Sequence, residues 1–79
     1  MRTKQITERF IQAYYSLVGL RQVKSKKEFC TTIGMHNTNF ALMEKGKRNV
    51  TIDNICQLTE KYNVSLLWLF GQSEKFLND

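Results

Sequence analysis

Apolar residues recur three or four positions apart along most of the chain, a spacing that places side chains on one face of an α-helix. The first such series predicts a helix from about Thr7 to about Gly19. Its inward face is formed by four side chains: Phe10, Tyr14, Leu17 and Val18. Residues 1–5 are polar, and we expect them to be frayed. Val23 is the expected inward anchor of the connection that follows.

Two short apolar faces lie between Lys26 and Lys45, with a glycine between them. Their members are Phe29, Cys30 and Ile33 on the first and Phe40 and Met43 on the second. Gly34 separates the two, and glycine enters a left-handed turn without a Cβ penalty. Two short amphipathic helices joined by a tight glycine turn form a helix-turn-helix, which holds its second helix against something outside the protein.

Local signals set the ends of these two helices. Ser25 and Glu28 have the spacing of a capping box, so the second helix of the chain begins just after Ser25. The third helix is predicted to begin near His36 or Asn37 and to end before Gly46, a typical residue for the position after a helix.

The last third of the chain predicts two more helices. Thr51 can cap the fourth, with Asp53 near the positive end of its dipole. The predicted inward face of the fourth helix is Ile52, Ile55, Cys56, Thr59 and Tyr62. Asn63 and Ser65 end it and start the fifth, which stops at Gly71. Without prolines, repeats or an alternating strand pattern, the sequence predicts an all-α fold of five short helices.

Length and composition indicate a single domain, 1–79, with one modest core, an ordered part at about 7–71 and short polar tails. The chain is 42% hydrophobic, has no run of 18 apolar residues and has no apolar signal region at its start. We therefore expect a cytoplasmic protein without a membrane partner. Cys30 and Cys56 lie at apolar-face positions without CxxC spacing, and we expect both to be buried thiols in a reducing compartment.

Positive charge is concentrated around the predicted helix-turn-helix. The net charge is +5, and the span from Arg21 to Arg48 holds seven basic residues but only two acids, Glu28 and Glu44. A solvated lysine face is the alternative, but this cluster flanks the helix-turn-helix on both sides. That placement favours a phosphate backbone as the partner.

The helix-turn-helix resembles that of the phage-repressor or Cro type of DNA-binding domain, the XRE-like family. The apolar positions, Gly34 and the segment Glu44-Lys45-Gly46-Lys47 carry the resemblance, which continues to Gly71 and covers roughly residues 7–71. It implies a compact, lambda-repressor-like five-helix fold. It also implies a transcriptional regulator, typically a repressor, that binds double-stranded DNA in the cytoplasm at the nucleoid, without a cofactor.

The third helix is then the one that enters the major groove. Its predicted base-reading residues are Asn37, Thr38, Ala41 and Leu42. Asn37 can pair with adenine through two hydrogen bonds, and Thr38 can form a hydrogen bond or contact a thymine methyl. The two apolar side chains can contact thymine methyls. His36, Asn39 and Lys45 are expected at bases or phosphates, with helix capping as the alternative for the first two.

Affinity is expected to come from the flanks of that helix. Helix N-termini and cations suit phosphates. The predicted phosphate contacts are Ser25, Lys26, Lys27, Lys47 and Arg48. Many relatives have glutamine where this chain has Lys26, and many pair the residue equivalent to Glu44 with an arginine of the first helix. By register Tyr14 occupies that arginine position, so the sequence indicates no obvious partner for Glu44, although a tyrosine hydroxyl could substitute.

The fifth helix has more apolar residues than one face can bury. By analogy with the family, Leu66, Trp68 and Leu69 are assigned to the core. Leu67 or Phe70 is left for a self-complementary surface, so we expect a homodimer that reads two half-sites about 34 Å apart.

DNA binding has three rival functions: catalysis, action as an antitoxin, and protein–protein interaction. Catalysis has little support, because the chain has one histidine, no metal-ligand spacing and no phosphate-binding glycine loop. An antitoxin would bind DNA and also a toxin, with Phe76 and Leu77 of the tail as a possible protein contact. A helical protein-interaction module would dock its third helix on a protein. Strong salt dependence distinguishes DNA from a protein groove.

Overall fold

The computed structural model describes residues 3–78, which form five α-helices. In chain order they are α1 (Thr3–Gly19), α2 (Lys26–Ile33), α3 (Asn37–Glu44), α4 (Ile52–Tyr62) and α5 (Leu66–Leu69). Within that range the only β-type pairing is an isolated antiparallel bridge between Val64 and Leu77. The predicted all-α fold with five helices is confirmed. None of the described helices is long and apolar enough to cross a membrane.

Helix α1 starts earlier than predicted. Residues 3–5 are helical rather than frayed, while residues 1 and 2 lie outside the described part of the chain. The Thr7 hydroxyl donates to the Thr3 carbonyl at 3.0 Å, which ties the first turn to the next. Thr7 is buried and Val18 is exposed, contrary to the predicted face, because the buried face continues from Leu17 back through Ala13 and Phe10.

Five aromatic rings form the centre of the core. Phe29 of α2 is fully buried, and its ring lies 5.7 Å from Phe10, 5.2 Å from Tyr14 and 5.8 Å from Phe40, measured between centroids. Tyr62 of α4 stacks on Phe29 at 5.7 Å. One side chain of α2 thus contacts α1, α3 and α4. Val23 is also buried, as predicted.

The short helices α2 and α3 have well-defined ends. Ser25 is the N-cap of α2, and its hydroxyl accepts a hydrogen bond from the Glu28 amide at 3.1 Å. Gly34 has a φ of +82°, and the amide of Met35 binds the Cys30 carbonyl at 2.9 Å, so the chain reverses in a Schellman motif. The predicted glycine turn is confirmed. After α3, Gly46 has a φ of +74° and repeats the motif.

The inward face of α4 differs from the predicted one. Ile55 and Leu58 are buried, whereas Ile52 is 73% exposed and Cys56 is exposed. Successive residues of an α-helix are about 100° apart, so residue 56 lies well to the side of a face centred between 55 and 58. The predicted stripe was therefore too wide. At the two ends of α4, Thr51 caps it as predicted, and Asn63 ends it in a left-handed conformation.

The C-terminal tail after Gly71 packs against the rest of the domain. The predicted end of the ordered part, at residue 71, was therefore too early. The Ser65 amide donates to the Phe76 carbonyl at 2.8 Å, and the Asn78 amide donates to the Asn63 carbonyl at 2.9 Å. The Phe76 ring contacts Trp68 edge to face at 4.6 Å. These contacts cover apolar surface on α5, which is why the tail is held. Residue 79 lies outside the described residues.

Candidate nucleic-acid interface

Helix α3 is held by its inner face and leaves its outer face open. Phe40 and Met43 are buried, as predicted. The exposed residues of α3 and its C-cap include Asn37, Thr38, Ala41 and Lys45. Leu42 is half-buried. The chain turns back directly after the helix, where the Lys47 amide binds the Leu42 carbonyl at 2.9 Å. Three of the four predicted base-reading side chains therefore face outward freely, and Leu42 does so only in part.

His36 and Asn39 have different surroundings. His36 is the N-cap of α3, but its side chain makes no capping hydrogen bond, so the alternative capping role is not formed. Asn39 accepts a hydrogen bond at Oδ1 from Nη1 of Arg48 at 2.6 Å. An arginine has donors only, so the amide oxygen must face Arg48. The Asn39 NH₂ group then points away from Arg48 and can donate to another acceptor.

The predicted phosphate-binding residues lie on two exposed segments. Ser25, Lys26 and Lys27 form the start of α2. Lys45, Lys47 and Arg48 belong to residues 45–50, here called the basic loop, which joins α3 to α4. All six side chains are exposed. The Ser25 hydroxyl is occupied by the Glu28 amide, so its remaining hydrogen-bonding capacity is its own proton.

Three helices meet at Glu44, at the end of α3. Tyr15 of α1 donates from its hydroxyl to Glu44 Oε2 at 2.7 Å, and Lys26 of α2 contacts Oε1 at 2.9 Å. We call Tyr15, Lys26 and Glu44 the inter-helix clamp. A tyrosine hydroxyl of α1 does bind Glu44, but it belongs to Tyr15 and not to Tyr14, the residue that the helical register indicated. Tyr14 is buried among the core rings, and its neighbour faces Glu44.

The clamp shifts the pKa of each member. Burial of the Glu44 carboxylate acts to raise its pKa, but the hydrogen bonds from Lys26 and Tyr15 outweigh that effect and leave the pKa below its ordinary value. The hydrogen bond to Glu44 raises the pKa of Lys26 and of Tyr15. Lys26 is thus held as a cation that already has a carboxylate partner. A phosphate at this point must share the ammonium group with Glu44.

The surface of α5 is more apolar than predicted. Leu67 is 54% exposed, in line with its assignment outside the core, whereas Phe70 is half-buried. Leu66 is 42% exposed, so its assignment to the core was wrong. Trp68 is half-buried beneath Phe76. The open apolar surface of α5 is therefore Leu66 and Leu67.

Two residues of this region were missed in the sequence. Thr7 lies three positions before Phe10 on the buried face of α1, so the helical period was a usable signal that its polar side chain obscured. Tyr15 gave no such signal, because only the placement of α3 shows which of two adjacent tyrosines meets Glu44.

Comparison of the chain with protein-family models, curated proteins and solved structures finds no match in any of the three. The geometry of the described residues therefore carries the functional inference.

Proposed function

We propose that the chain is a helix-turn-helix domain of the phage-repressor or Cro type that binds double-stranded DNA in a sequence-specific manner. The observation that carries the proposal is the presentation of α3. The helix is pinned through Phe40 and Met43, while Asn37, Thr38 and Ala41 are exposed on its outer side. The major groove of B-DNA, about 12 Å wide, admits one such helix.

In this proposal the outer face of α3 supplies sequence discrimination. Asn37, in the first turn, pairs with adenine, and Thr38 and Ala41 contact neighbouring base edges or thymine methyls. Asn39, with its amide oxygen bound to Arg48, donates to a phosphate or to a purine acceptor. The few strong base readers leave room for specificity through DNA shape.

The cations around α3 supply affinity that is independent of sequence. Lys26 of α2 meets Glu44 at the end of α3, with Lys27 next to it in the chain, and the basic loop follows the same end, so positive charge is concentrated around that end of the helix. Each phosphate neutralised by a lysine or arginine releases counterions and steepens the salt dependence of binding. The overall charge of +5 acts in the same direction.

The proposed biological role is regulation of transcription, typically repression, by a homodimer. Leu66 and Leu67 form an exposed apolar surface on α5, a position from which a second copy can extend the domain along DNA. A two-fold dimer requires half-sites about one helical turn apart.

The antitoxin alternative is weaker than DNA binding alone. It relied on Phe76 and Leu77 as a contact for a second protein, but both side chains are half-buried against the domain itself. Co-purification of a small partner protein would still favour it.

The test is selection of bound sites from random duplexes, followed by titration of the selected site and of random DNA at several salt concentrations. Asn37→Ala should cost about 1–3 kcal/mol on the selected site and little on random DNA. Lys47→Ala should weaken both equally and lower the salt slope by about one. Lys61→Ala, an exposed lysine of α4 outside the proposed interface, is the control. Equal losses on both DNAs for Asn37→Ala would refute base reading by α3.

A further inference from the structure

Thr7 is a buried polar residue of α1, only 4% exposed, and its hydroxyl contacts the end of the basic loop. We propose that Thr7 is a positioning residue: it fixes the second half of the basic loop, so that Arg48 is held in a position to contact a phosphate. The part of this inference that concerns DNA rests on the proposed function. The part that concerns the loop does not.

The hydroxyl makes contacts that a purely apolar side chain cannot make. Its oxygen accepts from the amide of Val50, a residue 43 positions away, at 2.9 Å. Its single proton has two acceptors within reach, the Thr3 carbonyl at 3.0 Å and Asn49 Oδ1 at 3.3 Å. Val50 is itself buried, so without Thr7 its amide would be a buried donor with no acceptor.

This contact occurs where the loop has little other support. The first half is held by the Schellman bond from the Lys47 amide to the Leu42 carbonyl. Helix α4 begins only at the Thr51 cap. Among the described residues, no acceptor is within hydrogen-bonding distance of the backbone amides of Arg48 and Asn49. The bond from Val50 to Thr7 therefore anchors the second half of the loop to α1.

The outer side of the loop is fixed by a different contact. Arg48 donates to Asn39 of α3 at 2.6 Å. The loop is thus bound to α1 through Thr7 and to α3 through Asn39. A cation on a fixed backbone loses less conformational entropy on meeting a phosphate than a cation on a mobile one. Removing the hydroxyl of Thr7 should break the contact with α1 and leave the second half of the loop held by the contact between Arg48 and Asn39.

Three variants test the inference. Thr7→Val removes the hydroxyl at nearly constant size, and Thr7→Ser keeps it. Val64→Ala weakens the core at a fully buried residue outside the loop and serves as the control for general destabilisation. Amide hydrogen exchange is measured for Val50 and for Leu58, a buried residue of α4. DNA affinity is measured against salt concentration in parallel.

In Thr7→Val, exchange at Val50 should accelerate at least about tenfold more than at Leu58, because the lost bond opens the loop locally. The salt slope of DNA binding should fall by about one as Arg48 loses its fixed position. Thr7→Ser should restore both to near wild type. In Val64→Ala the two amides should accelerate together, with an unchanged salt slope.

The inference is overturned if Val50 and Leu58 change in parallel in Thr7→Val, or if Thr7→Ser behaves like Thr7→Val. Should Thr7→Val fail to fold, Thr7→Ala removes the same hydroxyl without adding a methyl and is judged by the same criteria. A wild-type protein indifferent to DNA overturns the proposed function. The exchange measurements still decide whether Thr7 holds the loop.

Discussion

Replacing Phe29 by leucine tests whether one ring holds α3 in place. Phe29 is fully buried and contacts four other rings at centroid distances between 5.2 and 5.8 Å. Those rings belong to α1, α3 and α4. Leucine keeps an apolar side chain at this position but removes all four aromatic contacts.

The expected cost follows from these contacts. An aromatic pair contributes about 0.5–1.5 kcal/mol beyond its buried area, so four pairs set an upper bound of about 6 kcal/mol. Neighbouring contacts are not additive, and truncating a buried phenylalanine to alanine costs about 3–5 kcal/mol. Leucine fills part of that space, and we expect Phe29→Leu to lower the free energy of unfolding by about 2–3 kcal/mol. A chain of 79 residues has about 4–12 kcal/mol in total, so the variant should still fold.

Urea unfolding followed by circular dichroism measures this loss. Phe76→Leu is the matched control, because Phe76 is half-buried and has one ring partner, Trp68 at 4.6 Å. It should cost about 1 kcal/mol or less. If Phe29→Leu costs no more than Phe76→Leu, the ring cluster is not what positions α3.

Three further predictions concern single groups. The buried hydroxyl of Thr59 has no hydrogen-bond partner among the described residues. Thr59→Val should therefore stabilise the protein by about 1 kcal/mol, measured as a rise in Tm of about 4–8 °C. A lower Tm would show that the hydroxyl is hydrogen-bonded. Cys56 is exposed, whereas Cys30 is buried and its burial raises the pKa of the thiol. A thiol reagent should therefore modify Cys56 rapidly and Cys30 only on unfolding. Rapid modification of both cysteines would contradict the burial of Cys30. The pKa of Glu44 is lower in the folded protein, so its charged form stabilises the fold above the unfolded pKa, and this stabilisation is lost as the pH falls through the folded pKa. The stability advantage of wild type over Glu44→Gln should therefore shrink from pH 6 toward about pH 3. A difference in urea midpoint that stays constant with pH would contradict the inter-helix clamp.

Features whose partners lie close along the chain could be predicted from the residues alone. Ser25 caps α2 through an amide three residues on, and Gly34 supplies the positive φ that ends the same helix. Thr51 and Asn63 bound α4 in the same way. These interactions form within one turn of helix, so residue type and spacing are sufficient to predict them. The buried faces of α2 and α3 were predictable for the same reason, because each is narrow and follows the helical period.

Features whose partners are distant along the chain depend on how the helices pack together. Which tyrosine contacts Glu44 depends on how α1 is rotated against α3, because Tyr15 and Glu44 are 29 residues apart. Thr7 and Val50, which form a hydrogen bond, are 43 residues apart. The exposure of Ile52 depends in the same way on which side of α4 packs inward. A helical period fixes the angle between side chains on one helix, but the rotation of that helix against its neighbours is set by the packing of the whole core.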